Sequence, residues 1–442
     1  MSGWADAASD HTAKILADKL PGGTRFTVNY RFEDPAGNMG ESVQGSFTTA
    51  PSTKGKGHGG TSQSFVWTAD TAGQGYGINP DIGGMRGYAT MHALHPDFFL
   101  HSGDTIYADG PLEPTLAVDN EPLWRNHVTE EVSKVAETLH EFRGRHRYNM
   151  MDHNLRAMYA DVPVIAQWDD HETCNNWWPG EILDDPRYTA VRDVDTLAAR
   201  ARQAWQEYMP IADSRALRHG TGFEPARIHR KIERGPHLDL FALDMRTFKG
   251  ENTNGLEPHE TDILGEEQTQ WLITELRRSR ATWKVIANDL PLGLIVPDGK
   301  AQESLSNTDG GAPLGRELQL ARVLKAIKDH RIRNVVFLTG DVHYCAAHHY
   351  SPERAAFKDF TPFWEFVAGP INAGSFGPNE LDGTFGPRVD FQEAGPAMGS
   401  PRSGEHQYFG HVDLAGDGSA FTVSLINANG RRVYCRTLTP QR

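Results

Sequence analysis

The residues best suited to metal or phosphate chemistry follow short apolar segments. Segment 335–339 is apolar and β-branched, and Asp341 and His343 follow it after a single glycine. A short apolar run of this kind predicts a strand buried on both faces of a parallel sheet. Ligands bind in the crevice outside the carboxyl ends of such strands. Taken alone, this pair could equally be a turn aspartate beside a hydrogen-bonded histidine.

The same arrangement occurs at four further predicted strands, 64–69, 96–102, 162–168 and 283–287. The polar residues that follow them are Asp70, Asp104, Tyr107, Asp169, Asp170, His171, Glu172 and Asn288. A chance origin for five such strand ends is difficult to defend. A glycosidase needs two carboxylates, whereas at least four are predicted to converge here. The pattern therefore favours a polynuclear metal site over general acid–base catalysis alone.

Composition and charge narrow the class of protein. A chain of 442 residues is long enough for one large α/β domain with appendages, or for two domains. The formal net charge is −14 without a basic block, so no nucleic-acid partner is expected. The chain has no run of eighteen apolar residues, so no membrane span is predicted. Residues 1–6 do not resemble a signal peptide. Cys174, Cys345 and Cys435 lack paired spacing, which argues against disulfides and thiolate zinc sites.

Three regions are predicted along the chain. Residues 1–50 are interpreted as part of an immunoglobulin-like β domain, because three strands (12–16, 25–32 and 43–48) are too few for a sandwich. Residues 51–61 are a predicted linker, and residues 62–442 form the main domain, of the α/β (α+β) class. Helices are predicted over 122–159, with Pro122 as its first residue, 188–208, 265–279 and 315–330. Strands are predicted within 227–246 and over 363–367, 406–414, 420–426 and 432–438.

Five motifs in chain order resemble the signature of the binuclear metallophosphatases, particularly the purple acid phosphatases. They are Asp70-Thr71-Ala72-Gly73, Gly103-Asp104-Thr105-Ile106-Tyr107, Asp170-His171-Glu172, Val285-Ile286-Ala287-Asn288 and Gly340-Asp341-Val342-His343. Further segments resemble the alkaline phosphatase D (PhoD) family, and this match covers nearly the whole chain. These segments are Trp168-Asp169-Asp170-His171-Glu172, Leu243-Asp244-Met245-Arg246 and Phe363-Trp364-Glu365-Phe366-Val367-Ala368-Gly369-Pro370. The resemblance implies a calcineurin-like two-sheet sandwich flanked by helices.

The resemblance also implies two cation subsites that share Asp104 as a bridge. The first would take Asp70, Asp104, Tyr107 and His343, and the second Asp104, Asp170, Asn288 and Asp341. The second set is all oxygen, which suits Ca²⁺, Mg²⁺ or Mn²⁺. The family implies iron(III) and calcium as cofactors. Asp70 stands near the position of a cysteine ligand in that family, so Mn²⁺, Mg²⁺ or Zn²⁺ are the alternatives.

Other residues are assigned supporting or substrate roles. The resemblance places His171 against the phosphoryl group, as a stabiliser or general acid; the alternative is a histidine bonded to a neighbouring carboxylate such as Asp169. Asp169, Glu172 and Asn175 are expected to support the ligands, with Asn175 as an alternative calcium ligand. Arg86 is a candidate phosphate contact. Asp244 and Arg246 are expected to form a buried ion pair.

The predicted function is metal-dependent hydrolysis of small phosphate monoesters, diesters or both, as in alkaline phosphatase D. Metal ions in such a site polarise the phosphoryl oxygens and supply the attacking hydroxide. The chain has no Gly-x-Ser-x-Gly motif for a covalent intermediate. The alternative is an inactive metal- or phosphate-binding module on the same scaffold. Members of the family are often exported, but residues 1–6 show no signal, so the location stays open.

Overall fold

The structure is a computed structural model that describes residues 3–52, 61–118, 120–211 and 225–441. The strands of these residues are β1 Arg25–Tyr30, β2 Val43–Thr48, β3 Gln63–Thr68, β4 Phe98–Ser102, β5 Thr115–Leu116, β6 Trp124–Arg125, β7 Val164–Gln167, β8 Arg230–Glu233, β9 Leu238–Ala242, β10 Trp283–Ala287, β11 Pro297–Asp298, β12 Ala301–Gln302, β13 Val335–Thr339, β14 Cys345–Tyr350, β15 Phe363–Val367, β16 Pro387–Glu393, β17 Tyr408–Leu414, β18 Phe421–Asn427 and β19 Arg432–Leu438. The α-helices are α1 Arg86–His92, α2 Leu139–Asn149, α3 His153–Asp161, α4 Val194–Tyr208, α5 Gly265–Arg278 and α6 Glu317–Asp329.

Two mixed sheets form the centre of the molecule. One has the order β19-β18-β17-β3-β4-β7 and the other β16-β14-β15-β13-β10-β9-β8. Strands β3, β4 and β7 are parallel in the first sheet, and β9, β10, β13 and β15 are parallel in the second. Trp67 and Leu100 of the first sheet share one buried core with Val285 and Leu338 of the second. The expected two-sheet sandwich is therefore confirmed.

Helices cover the outer faces of both sheets. Leu272 of α5 and Leu324 of α6 pack in one buried cluster with Ile286 of β10. Met91 of α1 and Met158 of α3 pack in another cluster that covers the outer face of β4. Because the central strands are buried on both faces, their sequences are nearly continuous apolar runs and do not alternate between apolar and polar residues. No described helix is long and apolar enough to span a membrane.

The helix predicted over 122–159 is wrong in extent. Residues 122–138 contain the short strand β6, and α2 begins only after Thr138. The Thr138 hydroxyl accepts from the Glu141 N–H, and the Glu141 carboxylate accepts from the Thr138 N–H, which is a capping box. The chain turns again before Asp152, whose side chain caps α3. Pro122 is therefore not the first residue of a helix.

Other element boundaries also differ from the prediction. The helix predicted over 188–208 begins at Val194, and the structure has the strands β14 and β16, which the sequence pattern did not predict. Residues 12–16 form no strand, whereas β1 and β2 pair as an isolated hairpin. Ser46 on this hairpin donates to Asp161 of α3 over 3.0 Å. The immunoglobulin-like assignment of residues 1–50 and the domain boundaries stay predictions, and most of linker 51–61 lies outside the described residues.

Candidate metal centre

The five predicted strand ends meet at one edge of the sandwich. Side chains bridge the two sheets directly beneath this edge: Trp67 of β3 donates to the Thr339 carbonyl of β13 over 3.2 Å. Gln167 of β7 donates to the carbonyl oxygens of Leu243 and Ala287 over 3.0 and 2.9 Å. These bonds hold the carboxyl ends of strands from both sheets together. Residues that follow strands of either sheet can therefore share one site.

The backbone turns sharply at four of the candidate ligands, one of which is His343 with a φ angle of 59°. Asp70, Asp104 and Asp341 have φ angles of 68°, 51° and 69°, in the left-handed region. Aspartate tolerates this region better than most residues. Such backbone conformations are concentrated at functional sites, where the surrounding fold holds them in place. The turns direct the three carboxyl groups into the crevice above the sheets.

The first cluster contains Asp70, Asp104, Tyr107 and His343. Carboxylate oxygens of Asp70 and Asp104 and a ring nitrogen of His343 lie within 4.8 Å of one another. The Tyr107 hydroxyl donates to His343 Nε2 over 2.9 Å, and it lies 3.5 Å from Asp70 Oδ1. His343 Nδ1 donates to the Gly374 carbonyl, which leaves Nε2 as the acceptor and candidate ligand atom.

The Tyr107 ring needs a glycine beneath it. A Cβ atom added at Gly73 would lie 2.5 Å from the Tyr107 ring, a distance that no side chain permits. The spacing between Asp70 and Gly73 therefore has a structural reason, since it brings the phenol hydroxyl within reach of Asp70. The first motif positions both its own aspartate and the tyrosine of the second motif.

The second cluster is made of oxygen donors. Asp104 and Asp170 each contribute an oxygen to one group of atoms within 4.8 Å, which also includes a ring nitrogen of His171, and Asp170 and Asp341 do so in another, with Asp169. Asn288, at the end of β10, donates its amide to the Leu290 carbonyl. Its buried carboxamide oxygen has no hydrogen-bond partner in the described part of the chain. A buried acceptor without a partner is the feature expected of an atom that binds a cation.

The electrostatics of both clusters favour cations. Burial, together with the neighbouring carboxylates, raises the pKa of Asp104 and of Asp341 well above the ordinary value. Burial raises the pKa of the Tyr107 hydroxyl well above its usual range, and Asp104 and Asp70 raise it further. A cation offsets both penalties, because it stabilises ionised oxygen ligands in a buried site. The donor set therefore fits a site for two metal ions.

His171 lies at the margin of both clusters. Its Nδ1 donates to Asp109 over 2.7 Å, and its Nε2 is 3.9 Å from an Asp170 oxygen. Its ring stacks on Tyr107 with 4.1 Å between centroids. Burial lowers the pKa of His171, but Asp109 and Asp170 outweigh it and raise the pKa to about 10. The carboxylate that holds this histidine is Asp109, not the Asp169 considered from sequence.

Glu172 and Asp169 contact the backbone and charges around the candidate ligands. Glu172 is fully buried and accepts from the N–H groups of Asp104, Thr105 and Asp169 over 3.2, 2.6 and 2.8 Å. It thereby joins the turn after β4 to the turn after β7. Asp169 accepts from Arg246 Nε over 2.5 Å. Both residues contact the groups next to the candidate ligands, and their supporting role stays a prediction.

Three other expectations have different outcomes in the structure. Asn175 is exposed, and its backbone N–H binds Asp109 over 2.9 Å. Arg86 begins α1 and donates to the Arg402 carbonyl over 2.5 Å, without a contact to the carboxylate clusters among the described residues. The expected ion pair between Asp244 and the guanidinium of Arg246 is wrong, because that guanidinium is bound to Asp169 and Glu303. Asp244 instead accepts from the Trp168 indole over 2.9 Å.

Several residues of the centre were missed in the sequence. Asp109 had a detectable signal, since it comes two residues after Tyr107 in the same motif. Glu303 and Lys249 had none, because neither follows a predicted central strand. Lys249 is buried, and its Nζ is 3.6 Å from Glu303. These three residues contribute the charges that surround the candidate ligands.

Solved structures of two phosphatases share this fold. A structure of PhoD matches with a TM-score of 0.69 at 21% identity, over 99% of this chain and 81% of that one. Purple acid phosphatase PPD1 from yellow lupin (Lupinus luteus) seeds matches with a TM-score of 0.55 at 13% identity, over 95% and 60% of the two chains. At these identities the matches show the fold.

Sequence comparison identifies the family. Residues 65–425 match the PhoD-like phosphatase family, and the chain belongs to it. Alkaline phosphatase D of Bacillus subtilis (strain 168) is 31% identical over 306 residues, which cover 66% of this chain and 49% of that protein. The chain thus spans about half the length of the curated relative it matches.

Proposed function

We propose that this protein is a metal-dependent phosphoesterase that hydrolyses phosphate monoesters, diesters or both. The observation that supports this proposal most is the convergence of ligand-capable side chains from four strand ends in three groups, each with its ligand atoms within 4.8 Å of one another. Membership in the PhoD-like phosphatase family and the likeness to alkaline phosphatase D agree with it.

The side-chain contacts support a proposal of two cation subsites. Asp70, Tyr107 and His343 would hold one cation, and Asp170, Asn288 and Asp341 the other, with Asp104 between them. When bound, these ions polarise the phosphoryl oxygens and provide a nucleophile at neutral pH. The imidazole and phenol of the first subsite suit iron(III), whereas the oxygen donors of the second suit Ca²⁺, with Mn²⁺, Mg²⁺ or Zn²⁺ as alternatives.

His171 would act on the leaving group. Asp109 holds Nδ1–H, so the ring is oriented with Nε2 toward the carboxylate clusters. A proton held on Nε2 can pass to the leaving alkoxide oxygen as the ester bond breaks. Until then, the charge on the imidazolium stabilises the phosphoryl oxygens. Stacking on Tyr107 restricts the ring to this direction.

The test is hydrolysis of 4-nitrophenyl phosphate and bis(4-nitrophenyl) phosphate by purified protein, before and after removal of metal by chelation. We expect turnover that is lost on chelation and restored by adding cations. Asp104→Asn should be inactive, whereas Asp413→Asn, an exposed aspartate of β17, should retain full activity. A protein that binds two cations but hydrolyses neither ester, nor any other phosphate ester of a broad panel, would instead be the inactive binding module.

A further inference from the structure

Arg246 is a fully buried charge of the metal centre. Its side chain has zero exposure, and four buried or largely buried carboxylates lie within 4 Å of the guanidinium. Nε binds Asp169 over 2.5 Å, and Nη1 binds Glu303. A buried ion pair of this kind is weak evidence for a stabilising role, since desolvation offsets most of the attraction. Its position beside the second subsite indicates another role.

The third nitrogen, Nη2, faces the candidate ligands. It lies 3.7 Å from an Asp170 oxygen and 3.7 Å from an Asp341 oxygen. These distances are too long for hydrogen bonds but short enough for charge attraction. Nη2 itself has no hydrogen-bond partner among the described residues. Asp170 and Asp341 are therefore drawn together without losing the lone pairs that a cation requires.

Asp169 contacts the guanidinium more closely than Asp170 and Asp341 do. One of its oxygens lies within 4.8 Å of an oxygen of Asp170 and one of Asp341. Its Oδ1 accepts from Arg246 Nε, whereas its Oδ2 is buried without a hydrogen-bond partner among the described residues. The arginine thus binds one oxygen of Asp169 directly and attracts Asp170 and Asp341 only by charge.

A second arginine fixes the backbone segment that carries one partner of the Arg246 guanidinium. Arg316, at the start of α6, donates to the carbonyl oxygens of Glu303 and Ser304 over 2.7 and 3.0 Å. This contact fixes the backbone of the segment that presents the Glu303 carboxylate to Nη1. Asp169 and Glu303 then determine the plane of the guanidinium, and hence the direction of Nη2.

We propose that Arg246 is a positioning residue of the second subsite: it is anchored on one oxygen of Asp169 and on Glu303, and it holds Asp170 and Asp341 in place for an exchangeable cation. The inference rests on the proposed function and concerns cation affinity rather than turnover. Loss of the guanidinium would leave three buried carboxylates in mutual repulsion, which spreads the ligand atoms apart.

The test is isothermal titration of metal-stripped protein with calcium or manganese(II), together with metal analysis of the first subsite. We expect Arg246→Met to weaken binding at the second subsite by about 10–100-fold, the range typical of groups that orient metal ligands. The first-subsite metal should be retained, and Arg246→Lys should recover part of the loss because it restores the charge without the fork. Arg230→Met is the matched control, since this guanidinium binds the carbonyl oxygens of Ile228 and Ala166; its affinity should be unchanged.

Folded Arg246→Met protein with wild-type affinity at both subsites would overturn the inference. If that variant does not fold, Glu303→Gln, which weakens the bond to Nη1 at a residue outside the groups of candidate ligand atoms, should cause a smaller loss at the same subsite; wild-type affinity there would also overturn it. Wild-type protein that binds a single class of cation would refute the inference while leaving the phosphoesterase proposal standing. Two bound cations without ester hydrolysis would refute that proposal and leave the inference intact.

Discussion

The two halves of the metal centre share Asp104 but differ in how their ligands are held. In the first half, the candidate ligands contact one another: the Tyr107 hydroxyl bonds to His343, and His343 Nε2 is 3.4 Å from Asp70. The Gly374 carbonyl fixes the other nitrogen of His343. This half contains a phenol and an imidazole. These neutral groups make hydrogen bonds that need no buried cationic side chain.

In the second half, the candidate ligands are carboxylates and a carboxamide that lie beside buried cationic side chains. Burial alone would raise the pKa of Asp170, but the charges of His171 and Arg246 outweigh it and lower the pKa to about 2. Lys249 is buried nearby, and its desolvation lowers its pKa to about 7 despite Glu303. Direct hydrogen bonds therefore hold the candidate ligands of the first half in place, whereas opposite buried charges hold those of the second half. The two halves should therefore bind different ions with different exchange rates.

Replacing the shared residue should affect both halves and have the largest effect. Asp104→Asn removes a charge that both cations would use, so we expect loss of at least one metal. The loss of several kcal/mol of transition-state stabilisation corresponds to a fall of about 10³-fold or more in turnover. Metal analysis and ester hydrolysis measure the two effects. Wild-type metal content together with wild-type turnover would remove Asp104 from the bridging position.

Selective chelation should separate the halves. Calcium binds oxygen cages with flexible geometry, so a calcium-selective chelator should remove the second cation and abolish activity while the first metal stays bound. Adding calcium back should restore turnover. Metal analysis before and after chelation checks this outcome, and simultaneous loss of both metals would show that the two subsites do not differ in exchange.

His171 should affect turnover without affecting either half. We expect His171→Ala to lower kcat by about 10²–10⁴-fold, the usual contribution of a general acid, with both metals retained. The readouts are steady-state kinetics and metal content of the same preparation. Loss of a metal in this variant would make His171 a ligand instead.

Replacing Asp109 should lower turnover without loss of metal, as replacing His171 does, but by a smaller factor. Asp109→Asn keeps an acceptor for His171 Nδ1–H but removes the charge, so we expect a decrease in kcat of about 10–100-fold, as is typical of groups that orient a functional histidine. Combined with His171→Ala, it should cause no further loss, because the two residues act as one unit. Additive losses in the double variant would assign Asp109 an independent role.

Replacing Tyr107 should cause the smallest loss of turnover in this series and the clearest spectroscopic change. A phenolate bound to iron(III) absorbs visible light, so an iron-containing preparation should be coloured and Tyr107→Phe should bleach it. Asp70, Asp104 and His343 remain to hold the metal. An absorption spectrum with metal analysis is sufficient. Active protein that contains no iron and has no colour would assign a divalent ion to the first half.

Much of this centre could be predicted because the signals are local. Each candidate ligand follows a buried strand within a few residues, and the carboxyl ends of parallel strands meet at a common edge. Asp70, Asp104 and Asp341 were identified in this way, and the structure brings them together. Asn288 was identified in the same way, since it follows the strand predicted over 283–287, and the resemblance to a known family added its assignment to the second subsite.

Helix boundaries were predicted less well because distant partners override local propensity. Segment 122–138 is rich in helix-compatible residues, yet Asn126 bonds to the carbonyl oxygens of Gly75 and Glu113 over 2.9 and 2.8 Å. Gly77 N–H donates in turn to the Asn126 side chain over 2.8 Å. These long-range bonds stabilise an extended course, and the helix begins only where Thr138 caps it.

The sequence by itself determined which side chains stand at the strand ends, since strand pattern and residue type are read within one segment. The charged side chains that contact these residues became evident only from the tertiary structure. Asp109 was found to hold His171, and Arg246 was found to bind Asp169 and Glu303 rather than Asp244. The partners in these pairs are separated by between 57 and 77 positions along the chain. The direction of a buried side chain depends on packing between layers, which no local pattern encodes.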